Sequence, residues 1–128
     1  MRRLLTDSRR IAVVGISPHR YRPSFRIASF LVDSGYEVIG VRPDAQSVMG
    51  LPCYGSLLEV PEPIDLVNVF RRPQAVAGHI DEAIAVGAPA IWLQLGVIDD
   101  EAALAAQARG IDVVMNRCIL IEHARLLS

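Results

Sequence analysis

Residues 11–20 read Ile11-Ala12-Val13-Val14-Gly15-Ile16-Ser17-Pro18-His19-Arg20. An apolar run, three of its four residues β-branched, leads straight into a glycine and a polar turn. That is the pattern of a strand covered on both faces and followed by a tight strand-to-helix connection. Pro23 comes next and suits the first turn of a helix. Phe25, Ile27, Ala28, Leu31 and Val32 then supply a buried helical face, and Gly35 ends it.

The same unit recurs along the chain. Apolar runs at Ile11–Gly15, Glu37–Val41, Asp65–Phe70, Ala90–Leu93 and Asp112–Met115 start 26, 28, 25 and 22 residues apart. Each interval holds one strand and one crossover helix. The chain therefore reads as α/β, a Rossmann-like doubly wound sheet of five parallel strands with helices on both faces. The expected order is 3-2-1-4-5, with the switch point between strands one and four. That places the loops Gly15–Arg22 and Gln94–Val97 side by side.

Around this frame, residues 1–10 form a leading helix that contributes Leu4 and Leu5. The stretch 43–63 is the least regular, with four of the eight prolines. Within it Ser56 and Glu59 have the spacing of a capping box, which predicts a short helix to Val60. Pro73 opens a helix whose apolar face is Val76, Ile80, Ala83 and Ile84. Asp99 caps an alanine-rich helix that stops at Gly110. A last helix runs from about Ile119 to Leu126.

A chain of 128 residues with this repeat is expected to form one domain, 1–128. Only three Phe and one Trp are present, so aliphatic side chains must fill the interior. No run reaches the roughly 18 apolar residues of a membrane span, and the first residues lack the apolar core of a secretion signal. Cys53 and Cys118 match neither a disulfide framework nor a metal-ligand pattern. The expectation is a cytoplasmic protein with no metal and no membrane partner. A net charge of −1 disfavours a general nucleic-acid binder.

Charge placement says more than charge total. All thirteen basic residues are arginines. Arg20, Arg22, Arg26, Arg42, Arg71, Arg72 and Arg117 follow strand ends, while Glu37, Asp65 and Asp112 open strands. Ligands of such sheets lie beyond the carboxyl ends of the strands. The fold thus gathers guanidinium groups on the edge where a polyanion would sit.

Several residues specify that ligand further. In the first turn Ser17 stands where a dinucleotide enzyme has its second glycine. The turn is either a phosphate site built from a hydroxyl and a helix N-terminus or an ordinary turn with Ser17 as a local cap. Arg42 closes the second strand, where NAD-binding folds place an acid. A guanidinium attracts a ribose phosphate, which points to NADP or coenzyme A. Pairing with Asp44 is the alternative. Arg71 and Arg72 flank an electropositive helix start; solvated loop charge is their plainer reading. Gln94-Leu95-Gly96 offers an amide and a glycine at the switch point. Trp92 lies inside a strand and reads as core. Cys118 and His123 are roughly 140° apart on a helix, so they make no nucleophile–base pair. His19 and His79 are isolated, and no catalytic set is visible.

With these pieces in place the chain resembles the family of small stand-alone CoA-binding domains, which is similar to the N-terminal domain of the succinyl-CoA synthetase alpha subunit. The stretches that carry the resemblance are residues 11–17, 35–43, 50–57, 64–71, 92–97, and Asn116-Arg117-Cys118 with Glu122-His123. The resemblance implies CoA along the carboxyl edge. Gly15, Ile16 and Ser17 would meet the pyrophosphate. Arg42, Pro43 and the Phe70-Arg71-Arg72 turn would lie by the adenosine end. Gln94, Leu95 and Gly96 would line the pantetheine path. Arg20, Arg22, Asn116 and Arg117 complete the expected set. Arg42-Pro43 stands where the family commonly has Asn-Pro. The synthetase's phosphohistidine domain has no counterpart in 128 residues, so ligase activity does not carry over.

Three readings follow. The first is binding of CoA or an acyl-CoA without autonomous catalysis. The second is a small NADP-dependent oxidoreductase, which Arg42 permits. The third is a regulatory or interaction subunit with an empty nucleotide site. Each allows a homo-oligomer or a protein partner.

Overall fold

A computed structural model describes residues 1–127. Strands and helices alternate along the chain except between β2 and β4, where no α-helix intervenes: α1 (Arg2–Asp7), β1 (Arg10–Val14), α2 (Pro23–Asp33), β2 (Glu37–Val41), β3 (Cys53–Tyr54), β4 (Leu66–Val69), α3 (Val76–Ala85), β5 (Ala90–Leu93), α4 (Asp100–Ala108), β6 (Asp112–Met115) and α5 (Ile119–Leu127). Single 3-10 turns at Leu57–Glu59 and Pro73–Ala75 precede β4 and α3. All pairings within the sheet are parallel, in the order β3-β2-β1-β4-β5-β6.

The doubly wound class is as expected, with six strands in place of five. The added strand is Cys53–Tyr54, two residues long, which pairs with Gly40 and Val41. It takes the third place in the order. The run around residues 65–70 is therefore β4 and lies directly against β1, with Val13 opposite Asn68. The switch point accordingly falls between the loops after β1 and β4, which brings Arg71 and Arg72 to it. The physical reason is local. Right-handed crossovers on opposite faces send the chain outward from β1 in both directions, and the irregular segment supplies its own edge strand.

Alternate residues of each strand face opposite layers. Ala12, Val14, Ile39, Val41, Val67, Val69, Ile91 and Leu93 pack with Val76, Ile80, Ala83 and Ala106 of α3 and α4. Ile11, Val13, Val38, Leu66 and Trp92 pack with Leu5, Ile27, Ala28, Leu31 and Ile119 of α1, α2 and α5. Trp92 is core, as expected, and its Nε1 donates to Arg117 O at 2.8 Å. Asn68 is the exception in this second layer. It is fully buried, and neither Nδ2 nor Oδ1 has a partner.

At the amino rim, where strands begin, charges close on neighbouring groups. Asp65 Oδ2 accepts from Arg9 N and Arg10 N, both at 2.9 Å. Arg10 donates to Glu37 Oε2 and to Pro63 O, each at 2.8 Å. Because Arg10 enters β1, the leading helix ends at Asp7 and not near residue 10. Asp99 caps α4 as read, accepting from Ala102 N. Ser56 caps its 3-10 turn, while Glu59 reaches Gly55 N, one residue before the expected partner. No described helix is long and apolar enough to cross a membrane.

Candidate functional site

A cleft of about 1090 Å³ opens along the carboxyl rim, between the turns that follow β2, β1, β4 and β5. Its floor is set by close backbone approach. Gly15 has φ +85°, and a Cβ there would sit 2.3 Å from Phe70 O, so only glycine lets these two turns meet. Ile16 turns its side chain into the core and leaves its backbone on the cleft. Ser17 Oγ accepts from His19 N at 3.1 Å, and the buried Ser24 Oγ accepts from Ser17 N at 3.0 Å. These bonds fold the loop so that Pro23 and Ser24, in the first turn of α2, face the cleft. Ser17 is thus a local cap and a lining residue at once.

The electrostatics are one-sided. Arg22, Arg42, Arg71, Arg72 and His19 line the cleft, and among the described residues no acidic one does. Arg71 and Arg72 form no ion pair among the described residues, and Arg22 lies 5.7 Å over the Tyr21 ring. Arg42 is different. Its Nε and Nη2 bind the two oxygens of Asp44 at 2.8 and 3.1 Å, so the anticipated pair forms. The side chain is only 17% exposed, and its Nη1 is buried with no partner. Asp44 fixes the plane of the guanidinium and leaves one donor unmet.

Of the expected residues, Gly15, Ile16, Ser17, Arg22, Arg42, Phe70, Arg71, Arg72, Leu95 and Gly96 come together around this cleft. Five do not. Arg20, exposed on the β1 loop, and Pro43, after Arg42, are not among the residues that line the cleft. Gln94 is buried, and its Oε1 accepts from Ile119 N at 3.1 Å. It caps α5, whose first N–H groups have no intrahelical partner. Asn116 Oδ1 accepts from Gly96 N at 2.9 Å and holds the β5 turn from behind. Arg117 is drawn to the buried Glu122 at 3.4 Å, which also binds Arg125 at 2.7 Å. The hydrogen bond from Arg125 holds the Glu122 carboxyl below its usual range. Residues not anticipated include His19, Ser24, Gln74 and Val97. The Pro23-Ser24 start of α2 was the available signal for Ser24.

Among the described residues no nucleophile–base pair lines the cleft. Ser56, Glu82 and His79 form a chain elsewhere, with Ser56 Oγ donating to Glu82 at 2.6 Å and His79 Nδ1 2.9 Å from the same carboxylate. The carboxylate sits in the middle, so the imidazole does not reach the hydroxyl. The chain ties α3 to the 3-10 turn. Both cysteines are free and half-buried, and burial pushes the Cys53 thiol up. Among the described residues no cluster of His, Cys, Asp and Glu is arranged to hold a metal.

The family model for the CoA binding domain matches residues 9–124. The chain belongs to this family. It is 38% identical over 124 residues to the uncharacterized protein YneT of Bacillus subtilis (strain 168), covering 97% of this chain and 92% of that one. A hypothetical protein from Pyrococcus horikoshii OT3 superposes with a TM-score of 0.96 at 36% identity, covering 99% and 89% of the two chains. A more distant relative is an ADP-forming acetate–CoA ligase of Archaeoglobus fulgidus, 24% identical over 119 residues. That match takes in 85% of this chain and 17% of the ligase. The CoA binding domain described here thus corresponds to one region of a larger enzyme, as the motif series implied.

Proposed function

We propose that this domain binds coenzyme A, free or as an acyl thioester, across the carboxyl rim and performs no chemistry by itself. The observation that carries the reading is the cleft lining: four arginines with no acid among them. A ligand with several phosphates satisfies such a site, and family membership makes CoA the natural candidate. The pyrophosphate sits at the Gly15-Ile16-Ser17 turn and the α2 N-terminus, where backbone N–H groups and the helix dipole favour anions. Arg22, Arg71 and Arg72 neutralise it. Arg42 lies one strand away on the cleft lining, and its guanidinium, oriented by Asp44, suits the ribose phosphate at the adenosine end. Leu95 and Gly96 flank the uncharged pantetheine arm. The free thiols of Cys53 and Cys118 fit a reducing cytoplasm.

Isothermal titration with CoA, dephospho-CoA and NADP+ tests this. CoA is expected to bind, and dephospho-CoA about tenfold more weakly, the equivalent of one charge-assisted hydrogen bond. Equal affinity for CoA and dephospho-CoA would remove the role given to Arg42. Tighter binding of NADP+ than of CoA would replace this reading with that of a small oxidoreductase.

A further inference from the structure

The two edges of the sheet are finished differently. At one end β3 is two residues long and stands between Pro52 and Gly55, so it offers almost no ladder to a further strand. At the other end β6 runs over four residues, with no proline and no charge after Asp112. Asp112 N and Asn116 N donate inward, to Pro89 O at 3.0 Å and to Leu93 O at 2.8 Å. Successive residues of a strand alternate in direction, so Val113 and Met115 turn their N–H and C=O groups outward. Among the described residues no strand meets them there.

This edge is complementary to itself. Laid antiparallel against a copy, about a two-fold axis at Val114 and normal to the sheet, Val113 exchanges both hydrogen bonds with the partner's Met115, and the pair repeats across the axis. Asp112, which forms no ion pair among the described residues, then comes against the partner's Asn116 and the partner's Arg117. Such an axis also keeps every helix in its own layer. Helix α4 runs antiparallel to β6 and packs beside it. Gln107 lines the amino-rim cleft together with Val113 and Val114, which marks the flank of α4 that looks past β6. Asp100 and Leu104 share that flank at helical spacing. Leu104 stands midway along the nine residues of α4, so on the axis it meets its own copy, and Asp100 meets the partner's Gln107. The two carboxyl rims point in opposite directions, and both clefts stay open.

We propose that β6 is the docking edge for a second copy of this chain, and that two sheets join there, antiparallel, into one. The proposal is independent of the CoA reading. Analytical ultracentrifugation of the full chain tests it. The wild type is expected to sediment as a dimer at about 10 μM. Leu104→Glu and Leu104→Lys each bring like charges together on the axis, and each alone is expected to weaken the dimer about tenfold or more. An equimolar mixture of the two sets opposite charges together and is expected to recover the dimer. Met115→Pro removes an outward N–H that the β5 ladder does not use, and is expected to give a monomer with the circular dichroism of the wild type. If that variant does not fold, the two Leu104 variants and their mixture decide. A wild type still monomeric at about 0.1 mM would overturn the proposal. So would a dimer that neither Leu104 variant weakens, or a mixture that associates no better than each variant alone.

Discussion

At the amino rim, Asp65 accepts from two backbone N–H groups, and Arg10 is divided between Glu37 and a carbonyl, with its Nε buried and unpartnered. At the carboxyl rim, Arg71 and Arg72 line an open cleft that no described acidic residue lines and form no ion pair among the described residues, while Arg42 is held by Asp44. A second cleft of about 720 Å³ does exist at the amino rim, yet Asp65, one of its three lining acids, already holds a partner, as does Asp7 with Arg3. Two clefts on one sheet thus differ in the sign of their charge: four arginines line the one at the carboxyl rim, and three acids with Arg3 line the other. Charge bonded within the protein is architecture; charge left open is available to a guest. Sign and position both matter, because the arginines share the rim with a helix N-terminus that reinforces them.

The largest effect expected is one that breaks the carboxyl rim outright. Gly15→Ala places a Cβ against Phe70 O at a positive φ, and is expected to cost about 3 kcal/mol and lower the melting temperature by roughly 10 °C. Thermal unfolding by circular dichroism measures it. Next comes a paired test of the two rims. Arg71→Ala with Arg72→Ala is expected to weaken CoA binding by about 100-fold while leaving stability within about 0.5 kcal/mol. Asp65→Ala should do the reverse, costing about 2 kcal/mol of stability with unchanged CoA affinity. Calorimetry and denaturant melts on the three proteins decide the matter, and a similar affinity loss from Asp65→Ala would erase the distinction between rims.

Between the rims, Asn68 buries an amide without partners. Asn68→Leu, which keeps the number and branching of the side-chain heavy atoms, should raise stability by about 1 kcal/mol in urea denaturation. The smallest effect is a pH dependence. Glu122 is held below its ordinary value near 4.5, chiefly by the hydrogen bond from Arg125. The unfolded chain therefore binds more protons than the folded one in this range. The stabilisation is complete above that ordinary value and is lost as pH falls through the lowered one. Glu122→Gln should flatten this acid limb of the melting curve. An unchanged limb would mean that Glu122 does not contribute to it.

Most of the frame was legible because buried parallel strands are continuous apolar runs, and five of them stand in the chain at helix-plus-strand intervals. Cys53–Tyr54 was not legible. A two-residue edge strand has no period of its own and exists only because Gly40 and Val41 offer a free edge. Strand neighbours were also hidden, since runs of Val and Ile do not encode which run lies beside which. The arginines of the cleft were readable from their place after strands. Gln94 and Arg117 stood in equivalent places but were claimed by α5, one as a cap for Ile119 N and one as a partner for Glu122. The helix start at Ile119, with Cys118 rather than Ser, Thr, Asp or Asn at the position immediately before it, was the signal that a cap had to come from elsewhere.

The contrast between the rims is tested most directly by following backbone amide chemical shifts while CoA is titrated into the labelled protein. The largest shifts are predicted at Gly15–Ser24, Arg71–Ala75 and Leu95–Val97, with Asp7, Asp65 and Asp112 unmoved. Shifts concentrated around Asp65 and Asp112, with the arginine turns silent, would contradict the account.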